Sequence, residues 1–342
     1  MKLILLTEDW FNSYESFLIN HPSAMVYYSI KFKYFLEKQT ESISKYLIAL
    51  DDNGNIKGIL PLLIKDGPLG LVVNSLPFYG SNGGILAEND EAKHFLLAAY
   101  IQFIHENEIA AATLIENPLD KSYPYDKLKW DELDYRIGQL TDISGNYSSL
   151  EDLMVKFDSK TRNIIRKAIK SKVKIEIDNT QIDFLERTHV DNMSSIGGLA
   201  KESNFFENLR SVFEGGSDYN IYIAKLDGEL IAAMLVFYFG KVVEYYTPVI
   251  VKQYRSFQPL SLIITTAMLD ANEMEFKWWN WGGTWQSQGG VYEFKSKWGT
   301  IDINYNYYTI INNKAIYRAS REDLLKYYKG FFVISFTRLE TD

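Results

Sequence analysis

Residues 220–239 read Asn220-Ile221-Tyr222-Ile223-Ala224-Lys225-Leu226-Asp227-Gly228-Glu229-Leu230-Ile231-Ala232-Ala233-Met234-Leu235-Val236-Phe237-Tyr238-Phe239. Two apolar runs flank an Asp-Gly pair. Both turn residues tolerate the positive φ of a type I′ turn, so the stretch predicts an antiparallel hairpin. Working outward, Lys241 to Ile250 reads as a third strand. Gln258 to Glu273 reads as a helix, and Phe276 to Asn280 as another strand. The same order occurs 174 positions earlier. Lys45 to Leu50, the turn Asn53-Gly54, Ile56 to Lys65 and Leu71 to Phe78 give three strands. A helix over Asp90 to Asn107 and a strand over Ala110 to Glu116 follow. The first strands share a pattern, Tyr46-Leu47-Ile48-Ala49 against Tyr222-Ile223-Ala224.

Hairpins followed by a helix and a further strand predict an α+β (α/β) fold. Each half is a mixed, mostly antiparallel sheet flanked by helices, and not a doubly wound sheet. At 342 residues the chain has room for two such units. The polar stretch Thr141 to Ser149 places the boundary: residues 1–145, residues 146–312, and a helical and apolar tail over 313–342 that packs back on the body. The second half opens with a helix at Ser149, whose hydroxyl precedes Glu151 and Asp152.

The net charge is −8 and cysteine is absent. This excludes disulfide frameworks, thiolate metal sites and a cysteine nucleophile. The acidic balance argues against a general DNA binder. Yet Lys156 to Lys174 holds eight Lys or Arg against the single acid Asp158, so the remainder of the chain carries −15. Arg162, Arg166 and Lys170 recur at i, i+4 and i+8 and line one helix face. Ile164, Ile165, Ala168 and Ile169 are expected to bury. With no acid among its neighbours in sequence, the stripe predicts an anion site, and Arg suits phosphate through its planar fork.

Five of the seven tryptophans lie between Trp278 and Trp298. The run Trp281-Gly282-Gly283-Thr284-Trp285 follows a predicted strand. Its glycines let a ligand approach the backbone, and its rings offer flat apolar walls with polar tips. A short helix ending at Gly299 comes next. No Walker A, G-x-G-x-x-G or G-x-S-x-G motif is present, and the four histidines lack metal-ligand spacing, so no metal site is expected. The longest apolar run, Ile231 to Phe239, has nine residues against the ~20 of a membrane-spanning helix. The N-terminus lacks a signal-peptide plan, so a cytoplasmic protein is expected.

These features together resemble the FemAB-type transferases, a branch of the GNAT superfamily with two tandem GNAT-like domains. The stretch Lys160-Thr161-Arg162-Asn163-Ile164-Ile165-Arg166-Lys167-Ala168 resembles the family's basic helix. Gly289-Gly290-Val291-Tyr292-Glu293-Phe294-Lys295-Ser296-Lys297-Trp298-Gly299 resembles its Phe-Lys signature. Gly58-Ile59-Leu60-Pro61-Leu62 and Leu76-Pro77-Phe78-Tyr79-Gly80 resemble features of its first domain, with Tyr79 a substrate contact.

The resemblance implies transfer of an aminoacyl or acyl group onto an amine of a cell-envelope, peptidoglycan-type precursor. It puts Phe294 and Lys295 at the reaction centre, with Lys295 stabilising an oxyanion or phosphate. Arg162 and Arg166 would hold the diphosphate of a nucleotide- or lipid-linked acceptor. Glu244 is the candidate general base, with Tyr245 beside it lining the substrate site. The implied donor is a co-substrate, aminoacyl-tRNA or acyl-CoA, with no tightly bound cofactor. A charged tRNA and a peripheral membrane contact are the further partners in view. Two departures matter. The helical arm of larger members is absent. The stretch Lys252-Gln253-Tyr254-Arg255-Ser256-Phe257-Gln258-Pro259, where a CoA-using domain has a Gly-rich loop, has no glycine. Arg255 at the following helix start remains a phosphate candidate. Two other readings compete: an acyl-CoA-dependent N-acyltransferase acting on an amino sugar, and a non-catalytic GNAT-like ligand-binding protein.

Overall fold

The architecture comes from a computed structural model, which describes residues 1–78, 82–120, 125, 128–285 and 288–339. The chain forms two compact units. One comprises residues 1–136 with 304–342, and the other residues 137–303.

The first unit contains β1 (Lys2–Leu5), α1 (Phe11–Asn20), α2 (Ile30–Thr40), β2 (Ile43–Ser44), β3 (Leu47–Leu50), β4 (Ile56–Leu60), β5 (Leu63–Lys65), β6 (Val72–Asn74), β7 (Leu86–Ala87), α3 (Asp90–Glu106) and β8 (Ala111–Ile115). Strands β1-β3-β4-β7 form one antiparallel sheet. In a second sheet β2 pairs with β5, β5 with β6, and β6 runs parallel to β8. The strand expected over 56–65 is two strands. Pro61 has no N–H for a ladder and divides them, and β4 and β5 join different sheets. The strand expected over 71–78 ends at Asn74.

Strand β9 (Glu132–Asp142) leads into the second unit. There follow α4 (Leu150–Met154), α5 (Ser159–Lys170), β10 (Lys174–Ile177), α6 (Ile182–Ser194), α7 (Ser203–Val212), β11 (Tyr219–Leu226), β12 (Glu229–Phe239), β13 (Val242–Ile250), α8 (Pro259–Glu273), β14 (Trp278–Thr284), α9 (Gly289–Ser296) and the start of β15 (Thr300–Ile311). The sheet order is β10-β11-β12-β13-β14-β9. Every pairing in it is antiparallel except β13 with β14.

The repeat seen in the sequence is therefore present in three dimensions. Each unit has a hairpin closed by a positive-φ glycine, Gly54 at 84° and Gly228 at 87°. Each then has a helix that returns the chain to a parallel strand, β6-α3-β8 and β13-α8-β14. The fold class is mixed α/β, as expected. The unit limits fall inside β9 and β15, rather than at 145/146 and 312/313. These two long strands carry the chain out of one core and into the other without a loop. Both strands alternate apolar and polar residues, Leu133, Tyr135 and Ile137 in β9 and Ile301, Ile303, Tyr305 and Tyr307 in β15, a signal that the polar stretch 141–149 outweighs in the sequence reading.

In the second unit, Ile165 and Ala168 of α5 pack with Leu262, Ile263 and Ala267 of α8 against Met234, Val236 and Trp279 of the sheet. Each buried Ile, Leu, Val or Met among them contributes ~1.5–3 kcal/mol. Ile164 is only half-buried and Ile169 is exposed, so the apolar face of α5 is narrower than the sequence predicts. In the first unit, Val333 and Ile334 of the tail pack with Tyr328, Leu324, Ile316, Val72 and Ala111.

Candidate active site

The site grows from the pairing of β13 with β14. These parallel strands share the register pairs Val242↔Trp278, Val243↔Trp279 and Glu244↔Asn280. Beyond Glu244 and Asn280 both strands continue, to Ile250 and Thr284, with no further pairing between them among the described residues. Glu244 is 1% exposed, and its Oε1 accepts a hydrogen bond from Asn280 Nδ2 at 3.2 Å. Asn280 Oδ1 in turn accepts from the Gly282 N–H at 2.9 Å. β14 is irregular against β9 between Asn280 and Gly283, and Gly282 has φ +72°. The glycines expected beyond the strand are thus a bulge within it, and Gly282 adopts a backbone conformation that side chains disfavour.

Lys295 closes this corner. It lies on α9, is 6% exposed, and its Nζ donates to Thr284 Oγ1 at 2.9 Å, Gly282 O at 3.3 Å and Gly283 O at 3.4 Å. Burial lowers its pKa to about 8. Among the described residues this cation is held by neutral dipoles, which leaves it able to attract a developing negative charge or to give up its proton near neutrality. Helix α9 is fixed from behind. Tyr292 Oη donates to Asp302 Oδ2 at 2.5 Å, and Gln139 Nε2 donates to Asp302 Oδ1 at 3.3 Å.

An aromatic wall flanks the corner. Trp281 lies 4.9 Å from Tyr245, 6.0 Å edge-on from Phe294 and 5.5 Å from Trp298 by ring centroids. Its Nε1 donates to Thr141 Oγ1 at 2.9 Å, so the indole stays buried with its polar atom satisfied. Phe294 is 39% exposed and presents its ring at the surface, whereas Trp298 is buried against Phe157.

The expected site residues thus fall into two groups. Tyr245, Trp281, Gly282, Gly283, Phe294 and Lys295 come together around the end of β14, and Glu244 reaches it from the other face of the sheet through Asn280. Arg162 sits on α5 beside the Phe157–Trp298 stack, its Nη1 donating to Phe157 O at 2.6 Å. Arg166 departs from the expected unpaired stripe: Glu151, which follows the cap of α4, accepts from its Nε at 3.1 Å and its Nη2 at 2.6 Å. The compensating acid comes from the preceding helix, which the sequence spacing within α5 cannot show. Lys170 and Arg255 are exposed, Arg255 in the 3₁₀ turn (Lys252–Phe257) ahead of α8. Trp285 is 41% exposed. Tyr79 lies outside the described residues. Among the described residues no cluster of metal-ligating side chains forms.

Asn280 and Thr284 were not singled out in the sequence. The signal for Asn280 is a single amide among three tryptophans on a buried strand, which must hydrogen-bond something inside.

Fold and site together define a mixed α/β protein built from two GNAT-like units in tandem. Residues 159–296, within the second unit, match the acetyltransferase (GNAT) domain family. The chain has the fold of FemX: TM-score 0.76 at 17% identity, covering 93% of this chain and 99% of that one. The C-terminal domain of a putative lysylphosphatidylglycerol synthetase from Agrobacterium fabrum superposes with TM-score 0.56 at 10% identity, over 95% of this chain and 98% of that one. A tandem GNAT protein from the clavulanic acid biosynthesis pathway gives 0.50 at 9% identity, over 90% and 97%. No curated protein matches the sequence. Among the described residues no helix is long and apolar enough to cross a membrane.

Proposed function

We propose that this protein transfers an aminoacyl or acyl group onto an amine of a cell-envelope, peptidoglycan-type precursor, with the reaction centred on the end of β14. The observation that carries the reading is the buried series Glu244–Asn280–Gly282–Lys295. It joins a carboxylate, which accepts protons, to a cation fixed on dipoles, through three hydrogen bonds.

In this reading the acceptor amine gives a proton to Glu244 as its nitrogen attacks the donor's carbonyl carbon. A C–N bond forms and the carbonyl oxygen gains negative charge, which Lys295 stabilises. The C–O bond of an aminoacyl ester, or the C–S bond of a thioester, then breaks, and the departing group takes up a proton. Trp281, Phe294 and Tyr245 pack on the opposite face of the sheet from Glu244 and hold the end of β14 in place. Asn280 orients Glu244.

The resemblance to the FemAB-type transferases supports the acceptor class, and Arg162 with Arg166 would bind the acceptor's phosphate. The 3₁₀ turn over Lys252–Phe257 replaces a glycine-rich phosphate cradle, which favours aminoacyl-tRNA over acyl-CoA as donor. Incubation of the protein with a charged tRNA pool or with acyl-CoA, together with amine-bearing UDP-linked and lipid-linked precursors, tests the reading. A product heavier by one acyl group is expected. Acceptor binding with no product from either donor would favour a ligand-binding role instead.

A further inference from the structure

A second lysine, half-buried, lies on the face of the second-unit sheet covered by α6 and α7. Lys201, in the loop between these helices, has its Nζ 5.3 Å from the Phe205 ring centroid and 5.2 Å from that of Tyr246. Its backbone N–H donates to His189 Nε2 at 3.1 Å, which fixes the loop. Burial draws the Lys201 pKa down to about 8, with no anion among the described residues offsetting it. His189 is no counter-ion: burial first, and then Lys201 itself, push it down to about 4.

Tyr246 adds a second unanswered donor. It occupies the irregularity in β13 where the register with β12 shifts. Its ring stacks on Phe205 at 6.0 Å and meets Phe237 edge-on at 5.0 Å. Its hydroxyl is buried with no hydrogen-bond partner among the described residues. Phe237 is also the residue directly opposite Glu244, so Glu244 points to this same face. Glu244 is near enough that its charge, after burial, holds the Tyr246 hydroxyl in its protonated, donating form.

We propose that the Lys201 ammonium and the Tyr246 hydroxyl form a carboxylate-binding subsite beside Glu244, so that the acceptor amine belongs to a molecule that also carries a free carboxylate. Two donors, one of them charged, stand among aromatic rings without an acceptor among the described residues. A carboxylate supplies two acceptor oxygens and one negative charge, which satisfies both donors and balances the charge of Lys201. A phosphate dianion would leave one charge uncompensated there. The anionic Glu244 on the same face draws the opposite end of the molecule, the amine. The recognised chemistry is therefore zwitterionic, an amino acid or a peptide end. The placing of the amine rests on the role of Glu244 proposed above; the carboxylate subsite does not.

Calorimetric titration tests this with 6-aminohexanoate against 6-aminohexanamide, and with hexanoate against hexanamide, which lack the amine. Wild-type protein is expected to prefer each carboxylate over its amide by about tenfold or more. Lys201→Met, which keeps an apolar stem between the rings, should abolish that preference. Tyr246→Phe, which keeps the ring, should reduce it. Circular dichroism and thermal melting establish that each variant is folded, and if Lys201→Met is not, Tyr246→Phe and the wild-type comparison decide. Equal binding of acid and amide, including none of either, would overturn the subsite, as would a preference that survives in a folded Lys201→Met. Transfer lost in Glu244→Gln with no hexanoate preference would overturn the subsite and leave the base in place. A hexanoate preference beside undiminished transfer in Glu244→Gln would do the reverse.

Discussion

Glu244 and Asn280 face each other across the last register pair that β13 and β14 share, with Asn280 Nδ2 donating to Glu244 Oε1 at 3.2 Å. A carboxylate 1% exposed at the point where two strands part company is costly to keep there. It makes structural sense where the opening receives a ligand that uses it.

The first prediction concerns this pair. Glu244→Gln keeps the shape and a hydrogen bond to Asn280 but cannot take a proton. Transfer should fall by about 10²–10³-fold, measured as kcat/KM, with little change in melting temperature. Asn280→Ala should cost less, about tenfold, because it acts through the positions of Glu244 and Gly282 and not on the substrate itself.

The second concerns pH. Lys295 acts as a cation, and burial sets its pKa at about 8. The rate should therefore decline as pH rises through about 8, and Lys295→Gln should remove that declining limb along with most of the activity. Stability runs the other way. Lys201 and Lys295 are both depressed to about 8 in the folded chain, against ~10.4 when unfolded. Between these values the unfolded state binds more protons, so stability rises with pH across that window and is lost as pH falls through about 8. Urea midpoints at pH 7.5 and 9.5 check the sign, and the rise should shrink in Lys201→Met.

The third concerns the junction before α5. Gly299 has φ +67°, and a Cβ built on it would meet the backbone oxygen of Lys156 at 2.6 Å. That oxygen cannot move freely, since Asp158 N–H donates to Lys297 O at 2.9 Å close by. Gly299→Ala should cost about 2–4 kcal/mol of stability in denaturant titration.

The fourth concerns the basic stripe. Glu151 engages Arg166 in an exposed two-bond pair. If an acceptor phosphate takes Arg166 over, Glu151→Gln should lower KM for a phosphate-bearing acceptor, and Arg166→Ala should raise it about tenfold, with kcat unchanged in both. An unchanged KM in both variants would remove Arg166 from the site.

The sequence carries the fold unevenly. Gly54 and Gly228 are readable because only a few residues tolerate a tight hairpin turn. Strands β9 and β15 do alternate apolar and polar residues, at Leu133, Tyr135 and Ile137 and at Ile301, Ile303, Tyr305 and Tyr307, but that pattern cannot show that each strand passes from one unit to the other. At the site, the run from Trp278 to Gly299 is conspicuous by composition, and Glu244 by its setting on an apolar strand. Asn280, Thr284 and Thr141 are small polar residues whose meaning depends on partners far away in the chain. The pairing of Arg166 with Glu151 is hidden for the same reason: it joins two helices and not two turns of one.

The most direct test of acyl transfer centred on Glu244 and Lys295 is mass spectrometry of single-turnover mixtures. Wild-type protein, Glu244→Gln and Lys295→Gln are each given aminoacyl-tRNA or acyl-CoA with amine-bearing precursors. The account predicts an acceptor heavier by one acyl group from the wild type, and its loss in both folded variants. Product formed undiminished by either variant, or no product from any donor by a wild type that binds acceptor, would contradict it.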